Sequence, residues 1–381
     1  MDIGIVGAGI FGMAAALELR RRGHRVTLFE RGRIPNPEAS STDVSKCIRR
    51  TNYPHQTYVE LATRAAVQWQ EWHERTSRSI YFQTGQVIAL SGFGPEHPSL
   101  TGWETLSRLA TDIRELTAKE AEDRFPQLVL TGQDRLFYDP WAGYLRSGQA
   151  LEDLAGLARD SGVTLREDTP VEVVDEAGAG VRVCWDSGRG DFDRAVVAAG
   201  PWLAELLPAM RTRIRLTRQQ MAFFVPTDPA PFRRGRFPVW SILSPGNLWY
   251  GFPYLHEGWV KVAEDSKVDD TRADVSREPT AEFLDWAREF VARHIPALSR
   301  GELAGGRSCL YTNMADMEDE QFVIDWAPGR ERVLIAGCGC GHGFKFGGSI
   351  GPVIADALED RENPLGDLFR IGNRFNQEEK E

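Results

Sequence analysis

Asp2-Ile3-Gly4-Ile5-Val6-Gly7-Ala8-Gly9-Ile10-Phe11-Gly12 is the stretch from which the fold of this chain is read. Asp2 to Val6 has the composition of a short buried strand. The pattern G-x-G-x-x-G follows at once, at Gly7, Gly9 and Gly12. An Ala-rich helical stretch then runs from Phe11 to about Arg22, with Gly23 placed to cap it. Arg25 to Phe29 is a second apolar strand, ending at Glu30. Strand, glycine turn, helix, strand and acid in that order mark a βαβ unit for an adenine dinucleotide. Gly7 permits the tight turn, Gly9 leaves room for a pyrophosphate, and Gly12 lets the helix pack close to the strand. The helix N-terminus offers free N–H groups and partial positive charge to the phosphates. Glu30 is suited to ribose hydroxyls and would repel a 2′-phosphate. The motif alone does not separate FAD from NAD.

The 381 residues predict about two domains. Hydrophobic residues make up 42% and charged residues 26%, which excludes a disordered chain or a small disulfide scaffold. Acidic residues exceed basic ones, 55 to 45, for a net charge of -10, so nucleic acid and anionic membranes are disfavoured as partners. No apolar run approaches the roughly 20 residues of a membrane span, and no basic-then-apolar leader opens the sequence. The five cysteines are scattered and odd in number, which argues for reduced thiols and a cytoplasmic setting. Cys338 and Cys340 find no second Cys/His pair, so no metal is expected.

Further along, helical periodicity covers Thr57 to Glu74, Ser147 to Ser161, Pro279 to His294 and Ser349 to Leu358. Tyr58, Leu61, Ala65, Trp69 and Trp72 share one face of the first and read as core. Thr117-x-x-Glu120 is a capping box for a short helix ending near Pro126, and Gly162 caps the helix before a strand at Val163 to Arg166. Strand-like runs occupy Tyr81 to Leu90, Met221 to Val225, Leu248 to Phe252 and Trp259 to Val262. Arg194 to Ala199 is continuously apolar, as a parallel strand covered on both faces is. The polar end, Asn376 to Glu381, is expected to fray.

Several separated segments together resemble the monomeric sarcosine oxidase family, within the D-amino-acid-oxidase-like flavoproteins. They are the N-terminal fingerprint, Ser40-Ser41-Thr42-Asp43-Val44-Ser45-Lys46-Cys47-Ile48-Arg49, and Ala198-Ala199-Gly200-Pro201-Trp202. Trp249-Tyr250-Gly251-Phe252-Pro253, Cys309-Leu310-Tyr311-Thr312 and Gly341-His342-Gly343-Phe344-Lys345-Phe346 follow in the family's order. The near relatives of that family are the fructosyl-amine oxidases, or amadoriases. The resemblance implies an α/β fold in which a Rossmann-like FAD-binding domain is interleaved with an antiparallel-sheet α+β substrate domain. The expected division is 1–79, 147–212 and 320–381 for FAD, and 80–146 and 213–319 for substrate.

The resemblance also implies FAD, carried covalently by a thioether from Cys309 to the flavin ring methyl. Flavin-binding positions carried over are Gly7, Gly9, Ile10, Phe11, Gly12, Glu30, Arg31, Ser41, Lys46, Gly200, Cys309, Gly341, His342, Gly343, Phe344 and Lys345. Lys46 matches a position that is Arg in sarcosine oxidases and Lys in amadoriases, against the flavin ring. Arg49 and Lys345 match the pair that grips a substrate carboxylate, a planar fork beside a point charge. Tyr250 and Tyr311 match aromatic positions flanking the substrate nitrogen. Lys261 matches the lysine that assists oxygen by stabilising developing negative charge. It also lies in an apolar strand-like run, where a lysine is costly unless it faces a polar site. One departure stands out: sarcosine oxidases carry a histidine four positions after that lysine, whereas this chain has Asp265, preceded by Glu264. Amadoriases carry an acid there, so Asp265 or Glu264 is a candidate to meet a cationic or hydroxyl-rich part of a larger substrate.

As bare residues, the same positions have plainer readings. Cys309 reads as a buried thiol, Arg49 and Lys345 as surface ion-pair partners, Lys261 as an edge lysine reaching water, and the tyrosines as core. The activity implied is FAD-dependent oxidation of a secondary or cyclic amino acid, such as an N-methyl amino acid, pipecolate or a proline-like compound. Hydride would pass from the carbon beside nitrogen to flavin N5, giving an imine, with O2 reduced to hydrogen peroxide by a monomeric enzyme. The other readings are a deglycating fructosyl-amino-acid oxidase, a biosynthetic imino-acid dehydrogenase, and a flavin subunit of an electron-transfer complex.

Overall fold

The computed structural model describes residues 1–265 and 269–372. The expectation of a frayed Asn376 to Glu381 lies outside the described residues. The first strand, Asp2–Val6, runs parallel to Arg25–Phe29 on one side and to Arg194–Val197 on the other. Thr164–Arg166 extends the sheet beyond Arg25–Phe29, and Val333–Gly337 extends it beyond Arg194–Val197, both in parallel. Val323–Trp326 closes that edge antiparallel, making six strands. The chain leaves the first strand toward one neighbour while its other neighbour arrives from far along the sequence. That switch point, beside Gly7, is where open parallel sheets bind ligands.

The side chains of the first strand divide between two cores. Ile3 and Ile5 join the helices Ile10–Arg21, Gln56–Arg75, Ser147–Ser161 and Gly347–Leu358. Val6, with Phe29, Ala195 and Val197, packs against the three-stranded meander Val171–Ala177, Gly180–Trp185 and Gly188–Phe192. Burial on both faces explains the unbroken apolar reading of these strands. The first helix stops where expected. Gly23 takes φ +89°, its N–H donates to Arg20 O at 3.0 Å, and His24 N–H donates to Leu19 O at 3.1 Å. This is a Schellman closure one residue past the cap. Gly162 ends Ser147–Ser161 in the same left-handed conformation, and the Thr117–Glu120 capping box opens Ala118–Arg124.

A second sheet has eight strands. Glu302–Met314 pairs antiparallel with Ile214–Val225, which continues through Val260–Glu264, Asn247–Gly251 and Val239–Ser244. Gln86–Leu90 then adds in parallel, and Arg135–Asp139 and Arg114–Glu115 complete the sheet antiparallel. One pair is therefore parallel in a sheet expected to be antiparallel throughout. Helix Ala281–His294 covers one face through Phe283, Ala287, Phe290 and Val291, against Trp240, Trp249, Val260 and Val262. The alternate residues Ser241, Tyr250, Lys261 and Ala263 point the other way, as the two-residue period of a strand requires.

The run Tyr81 to Leu90, read as one strand, is two. Tyr81–Gln83 belongs to a small sheet with Lys46–Ile48 and Gly143–Leu145, while Gln86–Leu90 joins the large one. Thr84 and Gly85 turn the chain between them, Gly85 at φ +73°. The strand read at Met221 to Val225 begins earlier, at Ile214, because Ile214 to Gln220 hides its alternation among polar residues. All five cysteines are free thiols. Among the described residues, no helix is long and apolar enough to cross a membrane.

Candidate active site

A cavity of about 360 Å³ opens at the switch point of the parallel sheet. Gly7, Gly9, Ile10, Phe11, Glu30, Arg31, Ser41, Lys46, Gly200, Gly341, Gly343 and Phe344 all line it. Gly12 does not, because its work is in the packing. A Cβ there would stand 1.9 Å from Gly7 O, so only glycine lets the helix start this close to the strand. Gly9 caps that helix in an extended conformation. Ile10 N–H donates to Ser41 Oγ at 3.0 Å, so the helix start presents polar groups to the cavity. Glu30 is held by three donors: Ala8 N–H at 2.9 Å, Gly32 N–H at 3.2 Å and Asn36 Nδ2 at 2.8 Å. Arg31 lies over the Trp202 ring, 4.3 Å from its centroid, at the cavity's outer wall. A glycine cradle, a helix start lining the cavity and a fixed acid suit a dinucleotide diphosphate.

A second cavity, of about 600 Å³, lies between the large sheet and the helices. The two cavities share Lys46, Tyr311, Cys340, Gly341 and Phe344, so they meet edge to edge. Gly341 is essential to that junction. It has φ +80°, and a Cβ there would meet the Tyr311 ring at 2.3 Å. His342 and Lys345, expected at the flavin, line the second cavity and not the first. His342 is fixed by its ring nitrogens: Nε2 donates to Glu320 O at 3.0 Å, and Tyr53 OH donates to Nδ1 at 3.4 Å. A carbonyl only accepts, which assigns the proton to Nε2.

Arg49 and Lys345 converge on this second cavity. Arg49 follows the small-sheet strand Lys46–Ile48, is half-buried, and lies over the Tyr53 ring at 4.9 Å. Its guanidinium donates to Thr51 O. Lys345 sits in the single 3₁₀ turn Phe344–Phe346 that enters the helix Gly347–Leu358, and Trp69 Nε1 pins its carbonyl at 2.8 Å. Its buried Nζ donates to Tyr53 OH at 3.0 Å and to His342 O at 2.9 Å. Among the described residues, no carboxylate lies within ion-pair distance of either cation. Burial, and then the charge of Arg49, push the Lys345 ammonium well below its ordinary pKa. The adjacent Arg50 is different: it forks onto Asp139 at 3.0 and 3.2 Å and reaches Asp112 at 2.6 Å, a closed structural pair. One residue of shift along an extended segment thus separates an ion-paired arginine from one facing a cavity.

Tyr250 and Tyr311 both line the second cavity and come from different strands. Burial and the nearby Asp265 hold both phenols well above their ordinary pKa, so both stay neutral. Asp265 also lines this cavity, with its N–H bonded to Leu248 O at 2.9 Å. Strand alternation puts Lys261 and Asp265 on the cavity side, and sends Glu264 to the helix-covered face with Val260 and Val262. Lys261 is no edge lysine: it is 1% exposed, donates to Asp43 Oδ2 and to Ser45 O at 2.8 Å, and lies 4.8 Å over Phe252. Burial lowers its pKa to about 8 despite Asp43. Lys46 Nζ stands 3.4 Å from the same acid and 3.7 Å from Cys309 Sγ. Cys309, expected at the flavin, is buried and lines neither cavity, although its strand neighbours Leu310, Tyr311 and Thr312 line the first.

Residue by residue reading missed two contributors. Tyr53, the partner of both Arg49 and Lys345, stands in a loop with no motif around it. Asp43 is in a quoted segment, but its partner is 218 residues away and no local signal announces the pair.

A family model for FAD dependent oxidoreductases matches residues 2–357 of the chain. Monomeric sarcosine oxidase of Bacillus sp. (strain B-0618) is 28% identical over 364 residues, covering 93% of this chain and 91% of that protein. N-methyl-L-tryptophan oxidase of Yersinia pestis (strain Pestoides F) is 25% identical over 374 residues, 96% of each chain. Among solved structures, a point mutant of NikD, described as an unusual amino acid oxidase essential for nikkomycin biosynthesis, superposes with a TM-score of 0.84. It covers 97% of this chain and 96% of that one at 22% identity, which shows a shared fold.

Proposed function

Because the chain belongs to the FAD dependent oxidoreductase family, we propose that it oxidises a secondary or cyclic amino acid at the carbon beside nitrogen. The observation that carries this reading is the pair Arg49 and Lys345. Two basic side chains with no counter-carboxylate among the described residues face a cavity that joins the dinucleotide cleft at Tyr311, Gly341 and Phe344. An amino acid supplies the missing anion. The sarcosine and N-methyl-L-tryptophan oxidases among its relatives support a secondary amine as the reacting group.

FAD would lie along the first cavity, held by Gly9, Ile10, Ser41, Glu30, Arg31 and Gly200, with Lys46 and Phe344 at the junction. Bound there, it supplies a two-electron acceptor for a carbon–hydrogen bond. Arg49 and Lys345 grip the carboxylate and fix the substrate's orientation. Tyr250 and Tyr311, kept neutral, flank the nitrogen without protonating it. The substrate loses a hydride from carbon and a proton from nitrogen, and O2 gains two electrons and two protons as hydrogen peroxide. Lys261 is the cation that favours charge on oxygen. Cys309 would carry the flavin through a thioether, supported by its Sγ standing 3.7 Å from Nζ of Lys46, a residue that lines both cavities. That bond would form with loss of the thiol proton and of a hydride equivalent from the ring methyl, with O2 as the two-electron acceptor. We also propose a monomer, on the strength of the sarcosine oxidase relative's name. The division into segments 1–79, 147–212 and 320–381 against 80–146 and 213–319 is supported by the six- and eight-stranded sheets, each drawn wholly from one set, while the small sheet joins Lys46–Ile48 of the first set to Tyr81–Gln83 and Gly143–Leu145 of the second. Asp265 in the cavity favours a second reading, a fructosyl-amino-acid substrate with hydroxyls for that carboxylate to accept from.

A panel of N-methyl amino acids, proline, pipecolate and fructosyl amino acids, mixed with the holoprotein without oxygen, tests the reading. Flavin bleaching by a secondary amino acid, and peroxide on readmitting air, is the expected result. Bleaching by none of the panel, or reduction without peroxide in air, would overturn it.

A further inference from the structure

Asp43 lies almost wholly buried between two lysines drawn from separate parts of the fold. Its Oδ2 accepts from Lys261 and stands 3.4 Å from Lys46 Nζ. The side chains of Asp43 and Lys261 are each 1% exposed, so water screens neither. The acid is itself anchored. Val44 N–H donates to Oδ1 at 2.7 Å, and the Asp43 carbonyl accepts from Gly148 N–H at 2.9 Å and Ser147 Oγ at 2.8 Å. Lys261 is anchored from its other side by Ser45 O at 2.8 Å, and the Phe252 ring walls it in. A buried ammonium deprived of its counterion sheds its proton, because burial penalises the charged form.

We infer that Asp43 is a positioning residue for the oxygen reaction, keeping Lys261 charged and aimed, and so setting the upper pH limit of flavin reoxidation. This rests on the reading of Lys261 as the oxygen-assisting cation. The titratable groups around Lys261 are Asp43, Lys46 and Cys47 from the segment 43–47, Cys309 from the long strand, and Tyr250 and Arg307 beyond Asp43. Burial and Lys46 both oppose its proton; Asp43 is the strongest group in its favour, and the balance leaves a pKa of about 8. Burial likewise opposes the Asp43 charge, but Lys261 and Lys46 outweigh it and hold the acid below its ordinary pKa. Removing the acid leaves Lys261 with burial and a like charge against it.

The test uses loaded enzyme reduced with dithionite under argon and then mixed with aerated buffer, for wild type, Asp43→Asn, Asp43→Glu and Lys261→Met. Wild-type reoxidation should slow as pH rises through about 8. In Asp43→Asn the break should move down by about 1–3 pH units, with near wild-type rates recovered below it. Asp43→Glu should hold the break near the wild-type position, and Lys261→Met should be slow and flat. Independently, the Lys261 resonance in isotope-labelled, flavin-free protein should titrate lower in Asp43→Asn by a similar amount. If Lys261→Met reoxidises normally, the oxygen role of Lys261 falls and this inference with it. If Lys261→Met is slow but Asp43→Asn keeps the wild-type break and titration, only the inference about Asp43 is overturned. Should Asp43→Asn fail to fold, Asp43→Asn/Lys261→Met, which buries neither charge of the pair, should fold again. A double variant that stays unfolded overturns the assignment.

Discussion

Replacing Lys345 by Met separates the proposed substrate clamp from the fold that carries it. Once a carboxylate has brought it to the charged form, Lys345 Nζ has three protons, and Tyr53 OH and His342 O take two of them. One proton and the positive charge remain for a substrate carboxylate. The substitution therefore removes one charge-assisted hydrogen bond, about 1.5–3 kcal/mol, or about 10- to 150-fold in dissociation constant. Met matches the length of the Lys stem and leaves Arg49 over Tyr53, so the site keeps its shape. The same change relieves the protein of a buried amine whose charging burial and Arg49 penalise, so unfolding by denaturant should need more denaturant. The assay is an anaerobic titration, following flavin absorbance with the best substrate of the panel and with the matching amine that lacks the carboxylate. Wild type and Lys345→Met should differ on the amino acid and agree on the amine. Weakening of both alike, or an unchanged dissociation constant for the amino acid, would refute the assignment.

Because Lys345 lies well below its ordinary pKa when the site holds no anion, a bound carboxylate should draw in a proton. Titration calorimetry of an amino-acid inhibitor in buffers of different ionisation enthalpy should register that uptake, and affinity should fall as pH rises; no dependence on buffer would count against it. Stability itself should rise with pH between the folded and unfolded pKa of Lys345, since the unfolded chain binds the extra proton there. Cys309→Ala should release flavin on denaturation, whereas wild-type protein should stay yellow and carry one flavin mass; colourless denatured wild type would end the covalent reading. Gly341→Ala should lose substrate turnover before it loses flavin, because its Cβ would press on Tyr311 at the junction. Equal loss of both would place the damage elsewhere.

Local signals carried the nucleotide half of the molecule. The turn Gly7–Gly12, the closure at Gly23 and the cap at Gly162 each depend on backbone conformations that a few neighbouring residues dictate. The large sheet was harder to read. Glu302–Met314 and Ile214–Val225 are long strands with many polar members, since Ile214 to Leu216 and Glu302 to Arg307 are exposed or only half-buried. The break at Gly85 between two sheets falls in the polar run Gln83-Thr84-Gly85-Gln86, which passes for strand alternation because Gln86 is buried like Tyr81 and Val87.

From its order of residues alone, the chain determined a dinucleotide-binding βαβ unit, its glycine turn, its acid Glu30, and the residue types able to hold an anion. These are short-range matters, governed by steric limits on a few dihedrals and by spacing along one helix or strand. Only the folded arrangement decided that Arg49 faces a cavity while Arg50 is spent on Asp139, and that Asp265 rather than Glu264 joins that cavity. It also decided that Asp43 reaches across 218 residues to Lys261. Such choices turn on which surface an alternating strand buries and on which charge lies a few ångströms away, and neither quantity exists before the chain has packed.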